Sequence, residues 1–248
     1  MDRTKKGIVA IAGFCFFLAL LLLTTAVTVY NIAGDRSLMA VEMRRHTPPR
    51  ISGLPDEEYP EMGRMITEYL TGKRDTFQHY FTDAEGNLAV CFQPHEANHM
   101  ADCRELIRKT GILRWILAGA ALFLLAVGIV LRKYRNNYTA GMIAGFGFTA
   151  LMCVGLLAWG LVSFDSLFTA FHRLLFTNDG WILDARTDML VRLMPTSFFV
   201  SLGIKLLLAC TAAAAASLAA ALMARNSGDK GGEQEEQPAE TAVQGADV

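Results

Sequence analysis

Long apolar stretches alternate with polar segments along this chain, and four of them, Gly7 to Tyr30, Ile112 to Leu131, Met142 to Val162 and Phe199 to Met223, stand out. Each approaches or exceeds the roughly 20 residues that a helix needs to cross about 30 Å of hydrocarbon. A helix is the expected form, because in lipid every backbone N–H and C=O must be satisfied within the protein. Arg3, Lys5 and Lys6 precede the first stretch in the manner of a signal peptide. It exceeds the roughly 7–15-residue core of a cleaved signal, so an uncleaved anchor is expected.

The pattern divides the chain into a cytoplasmic N-terminus with the first span (1–30), an extracytoplasmic cap (31–111) and a helical pair joined by a basic loop (112–162). An interfacial segment (163–198), a fourth span (199–223) and a tail (224–248) follow. Arg132, Lys133 and Arg135 after the second span, and Arg225 after the fourth, place those ends and both termini in the cytoplasm. The 31–111 segment is also rich in Lys and Arg, but loops longer than about 60 residues cross largely regardless of charge. The tail from Asn226 lacks large apolar residues and is expected to be disordered.

Helical spacing recurs between the spans. Asp56 is placed to cap a helix carrying Tyr59, Met62, Ile66, Tyr69 and Leu70 on one face, with Gly72 as its stop. Thr76 to Phe81 and Leu88 to Phe92 suit two short strands around the turn-forming Asp83–Asn87. Pro94 fits the first turn of a helix on which Met100, Cys103, Leu106 and Ile107 share a face, and a bend at Gly111 is expected to lay this helix on the membrane surface. Phe164, Leu167, Phe168, Phe171, Leu174 and Leu175 repeat that amphipathic pattern. Asn178 to Gly180 read as a turn, Trp181 as an interfacial anchor, and Thr187 as the cap of a last short helix ended by Pro195. The fold class is therefore mainly α, a four-transmembrane-helix bundle with a small mixed α/β cap and interfacial amphipathic helices.

Composition narrows the function. At 52% hydrophobic and 19% charged residues the chain is too apolar for a soluble domain, and its net charge of −1 supplies no field for nucleic acid. It has no Gly-rich phosphate loop. Cys15, Cys153 and Cys210 fall inside spans as packing residues, while Cys91 and Cys103 share the oxidising side and form a candidate pair. Lys205 lies inside the fourth span, where it must snorkel outward or face a cavity. No span carries the acidic and basic pairs that line transporter pathways.

His95-Glu96-Ala97-Asn98-His99 matches HExxH, in which two imidazoles one turn apart hold zinc and the glutamate activates water. A zinc-dependent membrane protease is thus one reading, with His172 as a distant third ligand. A non-catalytic scaffold is another, supported by the small-residue motif GMIAG at 141–145. A surface histidine taken alone is most often merely solvated.

Two further motifs favour a third reading. Glu96, His99 and Asp102 form Glu-x-x-His-x-x-Asp, and His172, Phe176, Asn178 and Trp181 form His-x-x-x-Phe-x-Asn-x-x-Trp, in this order and on the same side. Together with EYLTGK at 68–73 they make the chain resemble the bacterial four-helix membrane family that includes the lipoprotein intramolecular transacylase, through all four spans and up to the tail. The resemblance implies an acyltransferase without metal or other cofactor. It would move one acyl chain from the glycerol of a diacylglyceryl-cysteine lipoprotein to that cysteine's own amine, with His99 and His172 as the catalytic pair.

Acyl transfer to an amine needs a proton acceptor, a proton donor for the departing glycerol oxygen, and charge stabilisation. A histidine of ordinary pKa near 6.5 suits an amine whose pKa is about 7.7–8.0. His99 is assigned as base and His172 as acid or oxyanion partner, with Asp102 or Glu96 orienting the first and Asp165 the second. Arg186 and Arg192 are placed to steady phosphate headgroups. The expected setting is a monomer in a bacterial cell membrane, its site on the outer face, its partners diacylated lipoproteins and membrane phospholipid.

Overall fold

The computed structural model of the chain describes residues 2–82 and 86–235. Among the described residues, four helices are long and apolar enough to cross a membrane: α1 (Asp2–Gly34), α5 (Pro94–Val130), α6 (Arg135–Val162) and α9 (Thr196–Glu235). α1 is the centre of the bundle and packs against each of the other three. It meets α6 at very short range, because a Cβ on Gly13 would lie 2.0 Å from the Tyr138 carbonyl oxygen and one on Gly141 would lie 1.9 Å from that of Ala10. Backbones approach this closely only over small residues, which is how helices associate when lipid removes the hydrophobic drive between them. Gly145, the second glycine of GMIAG, faces the Phe17 ring at the same crossing.

The cap has its own core. The helices α2 (Arg36–His46) and α4 (Tyr59–Leu70) pack on each other, with the one-turn α3 (Pro49–Ser52) between them in the chain. Met43, Leu54, Met62, Met65 and Ile66 are fully excluded from solvent beside Tyr59. The spacing predicted for α4 holds: Tyr59, Met62, Ile66 and Tyr69 all face inward, and Gly72 ends the helix in the left-handed region at φ 78°. Asp56 opens a 3-10 turn and forms an ion pair with Arg44 at 2.7 Å instead of capping α4.

The strand component is small. β1 (Tyr80–Thr82) and β2 (Leu88–Val90) pair antiparallel with Tyr80 opposite Val90, a shorter hairpin than expected; Asp83, Ala84 and Glu85 of its turn lie outside the described residues. Gln78 explains the shortening, since its side chain both donates to the Phe92 carbonyl and accepts from the Phe92 N–H, taking the place of a strand residue.

Two expectations are corrected. α5 runs unbroken from Pro94 to Val130, with no interruption at Gly111. Gly111 serves close approach instead: a Cβ there would come within 3.0 Å of the Tyr30 ring, over which Arg114 stacks at 3.9 Å. The charged part of α5, Pro94 to Gly111, therefore projects past the apolar stretch as one rod with it. At the other end, α9 continues to Glu235, past the expected limit at Met223 and into the segment from Asn226 that was expected to be disordered. Residues 236–248 lie outside the described residues.

Lys205 reaches the cap. Its Nζ donates to Glu42 Oε1 at 3.1 Å and to Ser201 Oγ at 3.0 Å, and the Ser201 hydroxyl donates to Glu42 Oε2 at 2.6 Å. Burial works to raise the Glu42 carboxyl, but these hydrogen bonds and the lysine charge outweigh it and hold the group below the usual carboxylate range.

Candidate active site

His99 is presented by the first turns of α5. Pro94 occupies the opening turn, where its missing N–H has no helical partner to lose, and a capping box fixes the helix start. In that box the Gln93 N–H donates to Glu96 Oε2 at 2.6 Å. The other oxygen of Glu96 accepts from the Leu190 N–H, also at 2.6 Å, so a fully buried carboxylate ties α5 to α8 (Met189–Leu193). Glu96 was expected as an orienter of His99. Both its oxygens belong to backbone donors.

His172 sits on α7 (Phe164–Leu175), whose start is capped by Ser163 accepting from the Ser166 N–H. Its Nδ1–H donates to the Phe168 carbonyl at 2.8 Å. A carbonyl only accepts, so this bond fixes the proton on Nδ1 of the neutral ring and leaves the Nε2 lone pair free. Asp165, expected to orient this ring, is exposed, and the Phe168 carbonyl takes the role.

The two rings meet. Their centroids are 6.2 Å apart, and their residues are only 8% and 7% exposed for His99 and His172. Phe176 lies 5.2 Å from His99 and 5.7 Å from His172, while Phe168 and Trp181 lie 4.0 and 4.9 Å from His172. This aromatic cage removes water from both imidazoles. Burial pulls the His172 pKa below its ordinary value, opposed only by the bond to Phe168. The ring is consequently neutral at physiological pH. His99 has its Nε2 3.6 Å from the Cys103 sulfur, and its buried Nδ1 has no hydrogen-bond partner in the protein.

The motifs are joined by one bond: Asn178 Nδ2 donates to Asp102 Oδ2 at 2.9 Å. Asn178 Oδ1 accepts from the Gly180 N–H, the turn expected there, which carries the chain round to Trp181. Trp181 acts as a wall of the site, against His172. Arg186 folds back onto Asp184 at 2.6 Å and is largely exposed. Phe168, Cys103 and Leu190 lie outside the two motifs that point to the site. The signal for Phe168 was present, one turn before His172 on the same helix face; the Leu190 contact had no local signal.

The other HExxH ligand points elsewhere. His95 Nε2 lies 3.1 Å from Asp188, a buried carboxylate that also accepts from the Asp184 N–H and the Thr187 hydroxyl. With His95 on Asp188 and Glu96 closed by backbone donors, the motif is used in folding the site. Among the described residues, no group of three His, Cys, Asp or Glu side chains is disposed to hold a metal ion. Cys91 and Cys103 are both free: Cys91 is buried in the cap core, where burial pushes its thiol up to about 12, and Cys103 sits beside His99.

Known proteins bear on this arrangement. A family profile described as lipoprotein intramolecular transacylase Lit matches residues 10–199. No curated protein matches the chain in sequence. Among solved structures, the membrane-integral lipoprotein intramolecular transacylase Lit from Bacillus cereus superposes with a TM-score of 0.69 at 15% identity, covering 92% of this chain and 99% of that one. A variant of that protein with a histidine replaced by alanine gives a TM-score of 0.67 at 14% identity over 92% and 97% of the two chains. A histidine-to-arginine variant gives 0.64 at 16% identity over 93% and 96%. With the profile spanning most of its length and that fold shared nearly end to end, this multi-pass membrane protein belongs to the lipoprotein intramolecular transacylase family and is an enzyme.

Proposed function

We propose that the chain moves one acyl chain from the glycerol of a diacylglyceryl-cysteine lipoprotein to the amine of that same cysteine, and that His99 and His172 are its catalytic residues. The observation that carries the reading is the pair of buried imidazoles 6.2 Å apart in an aromatic cage. The amine nitrogen attacks the ester carbonyl, His99 accepts the proton released as the C–N bond forms, and the tetrahedral intermediate collapses with cleavage of the C–O bond. That proton passes from His99 to the free Nε2 of His172, which donates it to the departing glycerol oxygen, so both rings end neutral as they began. Exchange of the two roles gives the same balance.

Donor and acceptor are parts of one molecule, so the cage needs only to hold ester and amine in contact, an advantage that reaches about 7–11 kcal/mol when the geometry is ideal. Exclusion of water strengthens each proton transfer and protects the ester from hydrolysis. In this reading Asn178 and Asp102 hold the rim, Trp181 and Phe176 line the acyl path, and Arg186 remains on the surface. The enzyme works as a monomer with both termini in the cytoplasm and the site on the outer face, takes diacylated lipoproteins as substrate, sits among phospholipids, and engages no nucleic acid.

The test is mass spectrometry of a diacylated lipopeptide incubated with purified enzyme. His99→Ala and His172→Ala are expected to insert and fold yet yield no N-acyl lyso product, with the wild type indifferent to chelator. Wild-type conversion by either variant would refute the assignment.

A further inference from the structure

We infer that the groove between the end of α2 and the start of α9 is a second lipid site, holding the phosphate of an anionic glycerophospholipid with one acyl chain laid along α9. The groove is open to the outside, has a volume of about 770 Å³ and is bordered by Arg45 and His46 on one side and by Thr196, Ser197, Val200 and Ile204 on the other.

Its upper part attracts an anion. Arg45 is largely exposed and touches Glu42 at 3.4 Å, a carboxylate already satisfied by Ser201 and Lys205, so most of the five guanidinium donors remain open. His46 also lines the groove, with its Nε2 turned toward Glu42 Oε2 at 3.4 Å, and Thr196 and Ser197 border the same space. Arg45 and Lys205 stand against the single charge of Glu42, so the region is net positive where the opening turn of α9 adds the positive end of its dipole.

Its lower part suits hydrocarbon. Val200, Ile204 and Leu208 follow one another at helical spacing and are 37%, 53% and 64% exposed on a helix long and apolar enough to cross the membrane. A headgroup at Arg45 therefore continues directly into an apolar track. The proposed substrate carries no phosphate on its glyceryl group, so the charge selects a phospholipid. The catalytic pair lies across another face of α9, where Phe199 packs on Phe168 at 5.5 Å and Phe168 on His172.

The full chain, purified and reconstituted in nanodiscs, is analysed by native mass spectrometry for retained lipid. Phosphatidylglycerol is expected to be held at least about fivefold more tightly than phosphatidylcholine, with about a fivefold loss in Arg45→Gln, the effect of one basic charge at a membrane surface. Val200→Trp fills the track without touching a charge and is expected to release the lipid from a protein of unchanged melting temperature. His99→Ala is expected to retain it, which separates this site from the catalytic reading. Equal retention of the two lipids, or wild-type retention by both groove variants, would overturn the inference. So would displacement by millimolar inorganic phosphate, which marks a free-anion site, or displacement by the diacylated lipopeptide, which marks a substrate site.

Discussion

The amide of Asn178 donates to the carboxylate of Asp102 across 2.9 Å, joining residues 76 apart in the chain. One lies a turn beyond His99 and the other a few residues beyond His172, so this bond pins the two histidine-bearing segments to each other at the rim of the aromatic cage.

Breaking it should loosen the pair without unfolding the protein. The bond is exposed, so its net contribution to stability is small, but a misplacement of about 1 Å can cost on the order of 100-fold in rate. Asn178→Ala and Asp102→Ala are expected to convert lipopeptide about 10- to 100-fold more slowly, the double variant no more slowly than the worse single one. Additive losses would show that the two act separately.

Burial of His172 sets a pH signature. Its folded pKa lies below the unfolded value near 6.5, so the unfolded chain takes up the proton first as pH falls. The folded state therefore loses stability below about pH 6.5 and is unaffected by this group above it. Wild-type melting temperature should fall relative to His172→Gln between pH 6.5 and 5 and run parallel to it from pH 7 to 8. Parallel curves throughout would contradict a buried neutral ring.

The Glu96 carboxylate predicts a structural defect. It is wholly buried and accepts two backbone N–H groups, from Gln93 and Leu190. Glu96→Ala strands both donors, at about 1–3 kcal/mol each. Loss of several degrees in melting temperature is expected. A fully stable but inactive Glu96→Ala protein would instead point to a direct catalytic role.

Glu42 and Lys205 couple the cap to the fourth span. Removing one partner leaves a charge unmatched, whereas removing both leaves none. Lys205→Met and Glu42→Leu are each expected to lower the melting temperature by several degrees, and the double variant to recover part of that loss. Thermal shift in detergent decides the matter: a double variant as unstable as the sum of the singles would rule out the pairing.

The crossing of α1 and α6 tolerates no side chain. A Cβ at Gly141 would overlap the Ala10 carbonyl, whereas one at Gly147 meets nothing within 4 Å. Gly141→Val should therefore unfold or misassemble the bundle, judged by size-exclusion and melting profiles, while Gly147→Val behaves as wild type.

Much of this was legible in the chain itself. Four apolar stretches dictate four spans because lipid leaves the backbone no other way to satisfy its hydrogen bonds. The 3.6-residue periodicity of Tyr59, Met62, Ile66 and Tyr69 dictates α4, and the two motifs around His99 and His172 mark the candidate site, since each is written in local spacing. What only the tertiary structure decided are relationships between distant residues. The Leu190 N–H claims Glu96, the Phe168 carbonyl takes the place expected of Asp165, Asp188 draws His95 away from the zinc geometry, and Tyr30 turns Gly111 from a bend into a contact. Sequence periodicity reports which face of an element is apolar. A polar group's partner is set by which backbone donor or acceptor the fold leaves beside it, and that has no local signature.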